Sequence, residues 1–237
     1  MLIIAHRGAR STHPENTLVA IQAAMDVGAK AIEIDVHEHD GQLWVFHDKW
    51  LNRTTDHIGK LSWLSAEKLK QVKVAKTEAI PTLIEVLRQI DGKCALNIEL
   101  KGINNHDLLY QHLHFALEVC HFQLEQLIVS SFNHDWLKQL KEEQPQWLIG
   151  ALSASKGIDK SLFAKTLGAT SINLDLDIID EDYVRHAKQL GLSVYVYTVN
   201  QPEDWQWLNE IGVDGVFSDC PAQAIEYYPQ PPHFVWQ

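Results

Sequence analysis

Apolar residues along the chain fall into two alternating patterns. Short β-branched runs stand at Leu2–Ala5, Ala31–Val36, Ala95–Leu100, Leu127–Ser131, Trp147–Leu152, Ser171–Leu174, Ser193–Val199 and Gly215–Ser218. Between most of them the apolar positions recur with helical period. The clearest stretches are Thr17–Gly28, Thr82–Ile90, His106–His121, Asp135–Glu143, Lys160–Leu167, Asp180–Leu190 and Pro202–Ile211, with a last short helix after Pro221. Gly28, Gly92, Gly168, Gly191 and Gly212 stand where left-handed C-caps are wanted, and Asp135, Asp180 and Asp219 where N-caps belong. Repeated βα units build a parallel sheet with helices packed outside it. Eight such units in 237 residues predict an α/β fold, a single TIM (β/α)8 barrel over residues 1–237. No G-x-G-x-x-G follows the first strand, which counts against an open dinucleotide-binding sheet.

Two segments break the rhythm. Residues 38–81 between the second strand and its helix exceed what a βα loop needs. They contain a hairpin signal, Asp40-Gly41, leading into Leu43-Trp44-Val45-Phe46-His47, then Trp50, Trp63 and a short helix near Ala66–Gln71. Long βα loops lie at the catalytic face of such barrels, so this insertion is expected in the wall of the site, as a small satellite core, or both. The tail 227–237, rich in proline and aromatics, is expected to be extended, packed across the barrel or at a dimer contact.

Composition narrows the partners. Hydrophobic residues at 46% and charged residues at 22% are ordinary for a globular chain. A formal net charge of -11 repels nucleic acid and anionic lipid, so neither is expected to bind outside a local pocket of inverted sign. Cys94, Cys120 and Cys220 have no zinc or redox spacing and fit buried reduced thiols in the cytoplasm. The apolar run Leu2–Ala5 is too short for a signal-peptide core, and no stretch approaches a membrane span.

Catalytic groups of a TIM barrel collect at strand C-termini. Here those ends carry His6-Arg7-Gly8, Glu33 with Asp35, His47-Asp48, Glu99 with Lys101, Ser130-Ser131-Phe132 and Tyr197-Thr198-Val199-Asn200. Glu33 and Asp35, two apart on one strand, share a face, and Glu99 and Lys101 do likewise. Three converging carboxylates repel one another, and a hard cation such as Mg²⁺ or Ca²⁺ relieves this better than a salt-bridge network does. Arg7 and Lys101 beside that cation suit an anion, with a bidentate fork and a point charge for phosphate. His6 and His47 can divide general base and general acid work. The remaining histidines, including His57, His106, His112, His114, His121, His134, His186 and His233, are expected at the surface, and His37 and His39 at a solvated strand end.

With those residues assembled, the chain resembles the glycerophosphodiester phosphodiesterase family, bacterial cytosolic type. The resemblance is carried by His6-Arg7-Gly8 with Pro14-Glu15-Asn16-Thr17, by Glu33-Ile34-Asp35-Val36, and by Val45-Phe46-His47-Asp48 with Leu51-Asn52-Arg53-Thr54-Thr55. It continues through Ile80–Leu87, Asn97-Ile98-Glu99-Leu100-Lys101, Val213-Asp214-Gly215-Val216 and Ser218-Asp219 with Pro221. It implies a barrel with an insertion after strand two and one divalent cation on Glu33, Asp35 and Glu99. It implies His6 and His47 as the acid–base pair, with Arg7, Lys101 and Asn16 at the substrate. The reaction it implies releases glycerol 3-phosphate and an alcohol from a small glycerophosphodiester, in a monomer or homodimer. Phe132 and Tyr197 complete the substrate-binding set; Tyr197 stands where the family usually has tryptophan, and the 35–41 hairpin is one residue short of the common pattern. The alternatives are a lysophospholipid phosphodiesterase on the same barrel, a zinc amidohydrolase-like barrel, whose H-x-H is missing from strand one, and a non-catalytic phosphate-binding barrel.

Overall fold

The computed structural model describes residues 1–236. Eight parallel strands close into a barrel: β1 (Leu2–His6), β2 (Ala31–His39), β6 (Ala95–Gly102), β7 (Leu127–Ser131), β8 (Leu148–Ser153), β9 (Ser171–Asp175), β10 (Ser193–Tyr197) and β11 (Gly215–Ser218). Closure comes from β1, which pairs with β2 on one side and β11 on the other. The long helices are α1 (Leu18–Asp26), α3 (Leu83–Ile90), α4 (His106–Val119), α5 (His134–Glu143), α7 (Glu181–Gln189) and α8 (Pro202–Glu210). Shorter ones are α2 (Ala66–Leu69), α6 (Leu162–Thr166) and α9 (Pro221–Tyr227). No helix of the described residues is long and apolar enough to cross a membrane.

Alternation along each strand separates two cores. Ile3 and Ala5, Ile32, Ile34 and Val36, and Leu96, Ile98 and Leu100 face outward into the layer beneath the helices. The inward set begins apolar with Leu2, Ile4, Ala31, Ala95 and Ile128, which fill the lower barrel with Tyr195 and Phe217. Higher up, the same inward parity delivers His6, Glu33, Asp35, Asn97 and Glu99. Strands buried on both faces thus look like continuous apolar runs except at their C-terminal ends, where the inner positions turn polar.

Local chemistry sets most helix ends. Thr82 caps α3 in a capping box with Glu85, Thr17 caps α1 and Asp180 caps α7. Two expected caps are corrected. Asn133, not Asp135, caps α5. Asp219 caps nothing, because Cys220 takes the N-cap position of α9 without a side-chain bond and Asp219 turns toward the barrel mouth.

The insertion is both wall and satellite core. Asp40 and Gly41, with φ of 50° and 71°, turn β2 into the antiparallel β3 (Gln42–Val45). Trp44, Phe46, Leu51, Leu69 and Val74 form a separate apolar cluster beneath the loop, with the small ladder of β4 (Lys73–Val74) and β5 (Glu78–Ala79) at its edge. Trp50 and Trp63 stay exposed and meet edge-on at 5.3 Å. After α9 the tail runs under the barrel. Trp236 is 2% exposed, packs on Tyr195 and Phe234, and donates through its backbone and indole nitrogens to the carbonyls of Glu125 and Gln126. Gln237 lies outside the described residues.

Three surface assignments also change. His106 and His112 are buried, each with one ring nitrogen bonded to a carbonyl, of Trp136 and Leu108 respectively. His37 is buried rather than solvated, because a bulge at Val36–His37 turns it under the hairpin. The cysteines are free, with Cys94 and Cys120 buried and Cys220 half-buried.

Candidate active site

The mouth of the barrel is organised by the turn after β1. Arg7 has φ of 57° and Gly8 φ of 82°. A β-carbon on Gly8 would lie 2.6 Å from the carbonyl carbon of Ala20, so only glycine lets α1 approach this closely. The turn directs the Arg7 backbone N–H to Glu33 and its guanidinium back over the barrel. Nε sits 3.0 Å from Asp35 Oδ2, and Nη1 donates to Glu15 Oε1 at 3.0 Å. Asn16, also at positive φ, donates to Asp35 Oδ2 at 2.8 Å, and its own Oδ1 accepts the Asp35 N–H.

Register places the carboxylates. Asp35 is the direct partner of Glu99 across β2 and β6, and Glu33 lies one inward position below. Ligand oxygens of Glu33, Asp35 and Glu99 lie within 4.8 Å of one another. Glu33 Oε1 is buried without a hydrogen-bond partner, while Asp35 Oδ1 and Glu99 Oε1 face Lys101 Nζ at 3.3 and 2.5 Å. Burial, then the charges of Asp35 and Glu99, push Glu33 well above the usual carboxylate range; burial and Asp35 push Glu99 up to about 7. Asp35 goes the other way: against its burial, Arg7 and Lys101 hold it at about 2. An orphaned buried oxygen among three all-oxygen donors fits a hard divalent cation, and the set contains no nitrogen or sulfur to favour zinc.

Each candidate imidazole is held by a carboxylate. His6 Nδ1 lies 2.7 Å from Asp219 Oδ1, and its Nε2 is 3.9 Å from Glu33 Oε2. Asp219 also accepts from Asn200 at 3.0 Å and Arg10 at 3.2 Å. His47 Nδ1 lies 2.6 Å from Asp48 Oδ1, and Asp48 is gripped by Arg53, which in turn holds Glu15. The His47 carbonyl accepts from His37 Nε2 at 3.0 Å, so the histidine expected in solvent braces the hairpin end. Burial lowers both His6 and His47 against the opposing pull of Asp219 on His6 and of Asp35 and Asp48 on His47.

These groups surround one cavity of about 180 Å³. His6, Arg7, Glu33, His47, Glu99, Lys101, Phe132 and Tyr197 all line it. Asp35 is fully buried behind it, and Asn16 reaches it only through Asp35. Phe132 and Tyr197 meet edge-on at 5.9 Å, and Lys101 Nζ lies 5.7 Å from the Phe132 ring. The Tyr197 hydroxyl donates to the Ser153 carbonyl at 2.9 Å, which turns it away from bound molecules and leaves the ring as the wall. The sequence assignments missed the supporting shell of Asp219, Glu15, His37 and Asn200. The available signal was proximity to the motifs; the obstacle for Asp219 was its distance of 213 residues from His6, and for His37 a bulge that sequence does not show.

A model of the glycerophosphoryl diester phosphodiesterase family matches residues 6–223. A glycerophosphodiester phosphodiesterase of Caldanaerobacter subterraneus is 35% identical over 234 residues, covering 94% of this chain and 96% of that protein. One of Bacillus altitudinis is 32% identical, covering 94% and 96%. Among solved structures, an Oleispira antarctica phosphodiesterase in complex with the product sn-glycerol-3-phosphate superposes with a TM-score of 0.86 at 30% identity, covering 97% of both chains.

Proposed function

This chain belongs to the glycerophosphoryl diester phosphodiesterase family, and on that premise we propose that its barrel mouth hydrolyses glycerophosphodiesters to glycerol 3-phosphate and an alcohol, with one divalent cation, Mg²⁺ or Ca²⁺, held by Glu33, Asp35 and Glu99. The observation that carries this reading is the meeting of that carboxylate cluster, two cations and two carboxylate-held imidazoles at one cavity. When bound, the cation supplies Lewis-acid polarisation of a phosphoryl oxygen and neutralises the crowded carboxylates.

Arg7 and Lys101, freed from part of their pairing with those carboxylates, hold the non-bridging phosphate oxygens and the charge that grows on them. His6 acts as base. Asp219 fixes Nδ1, Nε2 faces the cavity, and deep burial keeps the ring neutral. His47 acts as acid, because it is less buried and Asp48 at 2.6 Å steadies its imidazolium. Asn16 sets the orientation of Asp35, and Phe132 with Tyr197 forms the wall on the alcohol side. Three free thiols support a reducing, cytoplasmic setting.

The test is release of glycerol 3-phosphate from glycerophosphocholine, with lysophosphatidylcholine in parallel. EDTA is expected to abolish release and Mg²⁺ or Ca²⁺ to restore it. Full turnover in EDTA, or faster cleavage of the lysophospholipid, would overturn the proposal.

A further inference from the structure

β6 sends three polar side chains into the barrel in succession, and the lowest has no task in the chemistry above. Asn97 stands one inward position below Glu99, beside Glu33 on β2 and Ile128 on β7. It is 2% exposed and yet lines the cavity. Its Oδ1 is buried without a hydrogen-bond partner. Farther round the barrel, by contrast, Ser171 and Asn173 on β9 bond to each other at 3.0 Å. Ile128 beside it and the apolar side chains that fill the lower barrel offer the carboxamide nothing.

A buried carboxamide without a partner is a standing cost that a ligand group of matching polarity removes. A carboxamide presents both donors and an acceptor, and an alcohol hydroxyl is the complement of either edge. The glycerol half of the substrate carries two hydroxyls beside the phosphate. We propose that Asn97 is a specificity-determining residue, which takes one of those hydroxyls and so selects glycerol esters among phosphodiesters. This rests on the glycerophosphodiester reading and adds the means by which the glycerol side is recognised. A site built to bond a hydroxyl rejects an analogue lacking it far better than an apolar pocket rejects an added one.

The experiment measures kcat/KM of the metal-loaded wild type, Asn97→Ala and the polar Asn97→Ser. The substrates are phosphocholine esters of glycerol, of 1,3-propanediol, which lacks the middle hydroxyl, and of 1,2-propanediol, which lacks the terminal one. Bis(p-nitrophenyl) phosphate, with no hydroxyl, is the control, and melting temperature verifies that each variant folds. On the glycerol ester Asn97→Ala is expected to lose roughly 5- to 100-fold. The wild type should lose a similar factor on one deoxy ester, where the variant loses nothing more, because a side chain and a hydroxyl that touch are not additive. Calorimetry should show glycerol 3-phosphate binding weakened by a comparable factor. Additive losses on both deoxy esters, or an equal fall on the control, overturn the assignment. A wild type that cleaves the control but no glycerol ester overturns the underlying reading instead, a pattern that neither of those results resembles.

Discussion

His6 and His47 have the same chemistry and different surroundings, and the proposed division of base and acid between them rests on that difference. His6 is almost fully enclosed and anchored to Asp219, while His47 hangs from the hairpin end beside Asp48. Removing either imidazole should lower turnover of glycerophosphocholine by about 10² to 10⁴. The two variants should part when choline is replaced by p-nitrophenol, whose anion leaves without a proton. His47→Ala is then expected to recover most of its lost rate and His6→Ala to recover none; the opposite recovery exchanges the roles, and equal deficits on both esters remove the acid assignment. At this scale sequence exposes the candidate groups, because each sits in a short local motif. It hides the partners. Asp219 has the spacing of a helix cap, and only barrel closure, 213 residues from His6, turns it into a histidine anchor. His37 has the sequence neighbours of a solvated turn, and only the bulge shows it bracing His47.

Pairing of β2 with β6 makes neighbours of Asp35 and Glu99, and strand periodicity keeps the isoleucines between the acids in the helix layer. A slip of one residue would exchange those faces, so register and chemistry are one specification. The crowding has a thermodynamic signature. Glu99, ordinarily near 4.5, is raised to about 7 in the fold. Its folded form therefore binds a proton more tightly than its unfolded form, and between those values deprotonation costs stability as pH rises. A cation on the carboxylates must displace those protons, so the rise in melting temperature given by saturating Mg²⁺ or Ca²⁺ over EDTA should be small at pH 5 and grow toward pH 7. The lowered histidines titrate in both samples, so the difference isolates the carboxylates to first order. A thermal shift that shrinks over this range would refute the cluster as the cation site. The barrel strands and the helices between them were legible from apolar period alone, with ends displaced by up to three residues. The hairpin was legible from Asp40-Gly41, whose backbone takes the expected left-handed turn.

At the scale of the whole molecule the barrel is open at one end and sealed at the other. Trp236 stops the lower end against Tyr195 and Phe234. Sequence leaves this tail undecided between a barrel contact and a dimer contact, because proline and aromatics suit either; in the fold Trp236 packs under the barrel. Trp236→Ala should cost about 3–5 kcal/mol and lower the melting temperature by on the order of 10 °C. Turnover well below that transition should be unchanged, since chemistry occupies the opposite end. A melting point shifted by less than about 2 °C would show that the indole does not hold the floor.

Joining the first strand to the last also dictates when the enzyme comes into being. A polypeptide emerging from the ribosome offers β1 before any other barrel strand, but one flank of that strand stays bare until β11 is synthesised. His6 has no carboxylate to orient it until Asp219 follows. Gln230 then accepts the N–H of Ile3 and ties the segment after α9 to the first strand of the barrel. The hydrolytic centre is therefore completed only with the last barrel strand, and a nascent fragment ending before β11 has the three clustered acids and the histidines but no enclosed place to use them.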